Sequence, residues 1–137
     1  MRFLLDTNIL SELRKGERSD PGVREWYARV ADEELAVSVL ALGEIRLGIL
    51  RLRRRDPEAA GHLDAWLTRL EAAHRGRLLP VDAEVTRIWA EINAERSLPV
   101  IDSLQAATAL AHGLTFVTRN VRDLVGVPLP LLDPFSQ

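Results

Sequence analysis

The feature that most limits the folds open to this chain is an alternation: short apolar runs recur between longer stretches whose apolar residues keep helical spacing. Phe3-Leu4-Leu5, Leu35 to Leu40, Arg77 to Val81, Thr115 to Thr118 and Val127 to Leu132 read as strands. Pro128 and Pro130 interrupt the last of these, which places it at a sheet edge. Asp20-Pro21, Asp56-Pro57 and Asp82 carry the signals of helix starts, an aspartate able to cap free amides and, in two cases, a proline at the first helical position. Behind them, Val23, Trp26, Tyr27 and Val30, then Leu63, Trp66, Leu67 and Leu70, then Val85, Ile88, Trp89 and Ile92 form one-sided apolar stripes. A further stripe, Leu42, Ile45, Ile49 and Leu52, follows the second strand. A small-residue helix runs from about Asp102 to His112, where Gly113 is placed to terminate it. Strands joined through helices require crossover connections, so the fold class is α/β, with a mostly parallel sheet of four to five strands.

In such sheets ligands bind beyond the carboxyl ends of the strands. Asp6 closes the first strand, Asn120 and Asp123 follow the fourth, and Glu44 and Asp102 lie near the starts of helices. These groups share one rim if the first and fourth strands are neighbours. Singly, each acid is explained as a helix cap or a favourable charge at the positive end of a helix dipole. Together they would repel one another unless a cation neutralised them. Without cysteine, and with His62, His74 and His112 on different elements, any metal must be held mainly by oxygen. That selects hard cations such as Mg²⁺ or Mn²⁺. A cation bound this way activates water and offsets charge in phosphodiester hydrolysis. The three histidines read as surface or helix-end residues, and the three tryptophans as core or interface residues rather than base-stacking platforms.

The blocks around these acids resemble those of PIN-domain nucleases, most closely the VapC-type toxins of bacterial toxin-antitoxin pairs. They are Leu4-Leu5-Asp6-Thr7-Asn8-Ile9-Leu10-Ser11-Glu12-Leu13, Ser38 to Gly48 around Glu44, Asp102 to Ala109, and Val117-Thr118-Arg119-Asn120-Val121-Arg122-Asp123-Leu124. Any one arises easily by chance, but four in order across nearly the whole chain form a joint signal. The resemblance implies a three-layer α/β/α sandwich and a Mg²⁺- or Mn²⁺-dependent endoribonuclease with Asp6, Glu44, Asp102 and Asp123 as catalytic and metal-binding acids. It also implies a cognate VapB-like antitoxin that covers the site, operator DNA bound only through that complex, and a homodimer. Asn120 stands where some relatives carry the fourth acid; here it is expected to support Asp123 through its carbonyl oxygen. Thr7, Asn8 and Thr118 are expected to hold the carboxylates, with turn and strand-end bonding as the plainer alternative. Arg119 is a candidate contact for the RNA phosphate or for an acidic neighbour. Gln105 replaces a residue more often aliphatic in the family. It is expected to point away from the Asp102 end of its helix and to alter packing more than chemistry.

Composition adds boundaries. The 137 residues suffice for one domain, and the absence of cysteine, of a leader-like start and of a long apolar stretch points to a soluble cytoplasmic protein with no membrane partner. A net charge of −2 announces no nucleic-acid partner, and the arginines between Arg51 and Arg55 read first as a solvated helix face. Two rival functions remain. One is a PIN-like module with little or no catalysis that dimerises and anchors an antitoxin on operator DNA. The other is a phospho-acceptor domain, which needs a lysine near the fifth strand; Lys15, the sole lysine, lies elsewhere.

Overall fold

The computed structural model describes residues 1–136. In chain order it runs β1 (Phe3–Leu5), α1 (Thr7–Leu13), α2 (Pro21–Ala28), β2 (Leu35–Ser38), α3 (Val39–Arg53), α4 (Pro57–Ala73), β3 (Leu78–Leu79), α5 (Ala83–Asn93), α6 (Val100–Ala111), β4 (Thr115–Val117) and β5 (Leu131–Leu132). The five strands pair in the order β3-β2-β1-β4-β5, every pair parallel. From β1 the chain builds outward to β2 and β3, then returns to place β4 and β5 on the other side.

The pleat separates two cores. Leu4, Ala36 and Phe116 face Val85, Ile88 and Ile92 of α5 and the alanines Ala106, Ala107 and Ala109 of α6. Phe3, Leu5, Leu35, Val37 and Val117 face the opposite layer, packed against Ile9, Leu10, Val23, Trp26 and Ala41. These are the three layers of the expected sandwich. The small residues of α6 let that helix lie close on the sheet. Leu4, Leu5 and Phe116 are almost wholly buried, each such burial contributing about 1.5–3 kcal/mol.

The capping signals translate directly. Asp20 accepts from the amides of Gly22 and Val23, Asp56 from Ala59 and Asp82 from Val85. Gly113 follows α6 with φ +65°, a conformation that disfavours side chains. Strand ends differ from expectation. β2 stops at Ser38, not Leu40, because the Ser38 hydroxyl accepts from the Leu40 amide and starts α3; Glu44 therefore sits in the second turn. β3 is two residues long: the Arg77 amide is spent on the His74 carbonyl in the turn after α4, and Pro80 has no amide to donate. At the far edge only Leu131 and Leu132 pair, while Val127 and Leu129 turn into the core. His74 ends α4 as expected but is buried, its Nδ1 2.9 Å from the Leu70 carbonyl.

The final described residues close back on α2. The Ser136 amide donates to the Asp20 carboxylate at 2.8 Å and its hydroxyl at 2.5 Å, bonds that hold the Asp20 carboxyl down to about 2. Gly22 lies beneath this segment: a Cβ there would stand 2.4 Å from the Pro134 carbonyl oxygen. Among the described residues no helix is long and apolar enough to cross a membrane.

Candidate functional site

The strand order reverses between β1 and β4, and in open α/β sheets that reversal opens a crevice at the carboxyl ends of the strands. The parallel register pairs Leu5 with Val117, so the next residues, Asp6 and Thr118, emerge side by side. The Asp6 amide continues the ladder to the Val117 carbonyl at 2.9 Å, after which the chain turns into α1. Asp6 is thus the cap of α1, its Oδ1 accepting from the Thr7 amide at 2.7 Å. Its Oδ2 accepts from the Thr118 hydroxyl at 2.7 Å and from the Asn8 amide group at 3.1 Å. Burial nonetheless pushes the Asp6 carboxyl up to about 6; the Thr118 and Thr7 bonds oppose this, and the charges of Asp102 and Glu44 add to it.

Asp102 lies in the first turn of α6, half-buried. Its carboxyl is also raised, first by burial and then by the charges of Glu44 and Asp123. Asp6, Asp102, Thr118, Asn120 and Asp123 line one small cavity walled by Phe116 and Leu124. Asp123 is carried there by a short 3₁₀ turn over residues 121–124, and the Asn120 amide is tied to the Thr118 hydroxyl at 3.0 Å. Glu44 and Thr7 line a second groove together with Ile45, Ile49, Leu52, Trp66, Arg14 and Arg55. Thr7 links the groove to the cavity, its amide donating to Asp6 and its hydroxyl to Glu44 Oε1 at 2.5 Å.

Gln105 corrects the expectation made for it. It is fully buried, and its amide nitrogen donates to Glu44 Oε1 and to Thr7 Oγ1, each at 3.1 Å. Three residues beyond Asp102 on the same helix, it shares the Asp102 face instead of turning from it. The one available signal was its polarity within the otherwise small, inward-facing run Ala106-Ala107-Thr108-Ala109. Arg119 pairs with no acid among the described residues; its guanidinium lies 4.4 Å over the Phe135 ring. Arg51, Arg53, Arg54 and Arg55 are exposed at the end of α3, as a solvated run should be.

None of the four acids is ion-paired among the described residues, so the negative charge gathered here is uncompensated. No three acid or histidine side chains among them stand close enough to hold an ion by themselves. The donor set still suits Mg²⁺, which binds through one or two carboxylates, keeps several waters and takes further oxygens from a substrate phosphate. Asp6 and Asp102, raised by burial and by neighbouring charge, are the groups a cation would relieve most.

The PIN domain model matches residues 3–124. The chain is 35% identical over 132 residues to ribonuclease VapC4 of Mycobacterium tuberculosis, covering 93% of this chain and 92% of that one. It is 29% identical over 140 residues to toxin FitB of Neisseria gonorrhoeae, covering 97% and 98%. The structure of FitAB bound to an IR36 DNA fragment superposes with a TM-score of 0.88 at 26% identity, over 98% of this chain and 96% of that one.

Proposed function

The chain belongs to the PIN-domain family, and on that footing we propose that it is a single-domain, Mg²⁺- or Mn²⁺-dependent endoribonuclease acting as the toxin of a toxin-antitoxin pair. The observation that carries the reading is the uncompensated acidic rim at the β1–β4 reversal, with Asp6 raised to about 6. The relatives named as a ribonuclease and a toxin supply the substrate class and the biological role. The neighbour solved as FitAB on a DNA fragment supports a partner complex that meets DNA; we propose further that an antitoxin covers the site and that the complex is a dimer on its operator.

Asp6 and Asp102 would hold the cation, with Glu44 and Asp123 completing the charge and the Asn120 carbonyl oxygen available beside Asp123. When bound, the cation supplies an activated water and offsets charge on the scissile phosphodiester. The protein's own part is positioning. Thr118, Asn8 and the Thr7 amide fix both oxygens of Asp6, and Thr7 fixes Glu44, so these acids lose little freedom on binding. Phe116 and Leu124 give the cavity an apolar wall. Arg119 lines an open groove together with Asn120 and Asp123, where a swing off Phe135 would offer it to a phosphate.

The test is incubation of the purified protein with total RNA and Mn²⁺, alongside Asp6→Ala. We expect cleavage by the parent, abolished by chelation and by the substitution. Cleavage undiminished in Asp6→Ala would overturn the site; RNA left intact by the parent while its antitoxin complex binds operator DNA would establish the non-catalytic module instead.

A further inference from the structure

Gln105 is wholly buried, and its carbonyl oxygen Oε1 has no hydrogen-bond partner among the described residues. Its orientation is nevertheless set. The single proton of the Thr7 hydroxyl is committed to Glu44, so Thr7 Oγ1 can only accept from Gln105, and a carboxylate oxygen accepts always. Turning the amide over would press its carbonyl against both acceptors. The nitrogen end therefore faces Thr7 and Glu44, and the unmatched oxygen is left in the interior. An apolar side chain of similar size would fill this position with no unsatisfied atom, and a buried polar group kept at a loss of stability points to a task other than packing.

We propose that Gln105 is a positioning residue of the acidic centre. It clamps Glu44 and Thr7 together so that Glu44 is presented to the cation in one fixed orientation. The inference rests on the metal-dependent reading above. The chain of contacts runs from α6 through Gln105 to Glu44 on α3 and Thr7 at the start of α1, linking three elements distant in sequence. Since Asp102 lies on α6 one turn earlier, one helix both supplies a ligand and sets the orientation of another acid borne by α3. Gln105 is not among the residues that would hold the cation.

Mn²⁺ binding to the full chain by titration calorimetry, with thermal unfolding in chelator, tests this on Gln105→Met and Gln105→Leu. We expect Mn²⁺ affinity to fall about 10-fold, the scale at which groups that orient metal ligands act. We expect the melting temperature in chelator to stay level or rise, because the unpaired oxygen is gone. The same substitution in a Glu44→Gln background should leave affinity where Glu44→Gln alone puts it, since Gln105 acts through that carboxylate. RNA cleavage should lose kcat with KM unchanged. Parent-like Mn²⁺ affinity in both variants, or an equal loss with and without Glu44, would overturn the proposal while leaving the nuclease reading standing. No Mn²⁺ binding by the parent would overturn both. A fall in melting temperature with affinity intact would mark Gln105 as structural and overturn it as well.

Discussion

The acidic site has two halves that are built differently. Asp6 and Glu44 together accept five hydrogen bonds, from the Thr7 amide and hydroxyl, Asn8, Thr118 and Gln105. Asp102 and Asp123 accept none from any described residue, although Asp102 is raised by burial and then by its neighbours' charge. One half is fixed before anything binds; the other keeps its oxygens free for water, cation or phosphate. A site made wholly of the first kind would leave fewer open lone pairs for an ion and its waters, and one wholly of the second would have to order four side chains at once.

The sharpest way to break this contrast is through pH. The folded-state carboxyl of Asp6 lies at about 6 against 3.8 unfolded, so its contribution to stability is complete below about pH 4 and is lost as pH rises through 6. In chelator, the stability difference between the parent and Asp6→Asn should shrink by roughly 2 to 3 kcal/mol from pH 4 to pH 7, read by denaturant unfolding. A flat difference would mean that the hydrogen bonds cancel the effect of burial, and a difference that widens with pH that they outweigh it. Next in size, Asp102→Ala should reduce RNA cleavage by about 100-fold while leaving the melting temperature in chelator within a few degrees, because no bond holds that side chain. A large drop in stability would place Asp102 in the fixed half. The smallest separable effect comes from Thr118→Val, which removes one donor from Asp6. Mn²⁺ affinity at pH 7 should fall about 10-fold, and the midpoint of the pH dependence should move upward. An unshifted midpoint would take Thr118 out of the fixed half.

The contrast also marks what could be read ahead of the structure. Helix starts at Asp20, Asp56 and Asp82 and the stop at Gly113 were legible because capping is decided within three or four residues of chain. The rim followed as soon as β1 and β4 proved to be neighbours, since strand ends and parallel order leave little other choice for Asp6 and Thr118. Strand lengths were less legible: Ser38 ends β2 by capping α3, which hydropathy does not register. Gln105 was misjudged for a different reason. Its partners lie 61 and 98 residues away, and only the packing of α6 against α3 and α1 shows that an amide placed there meets a carboxylate.

The bond from Thr118 to Asp6 joins residues 112 positions apart, nearly the span of the chain. Synthesis proceeds from the amino end, so Asp6 and Glu44 leave the ribosome long before Asp102, Thr118 and Asp123 do. Until that last portion emerges, β1 has no β4 beside it, the crevice has one wall, and the acids cannot gather. The site is therefore a property of the assembled sheet: a partly made copy that lacks β4 and the turn after it carries Asp6 and Glu44 but not the partners that would complete the rim.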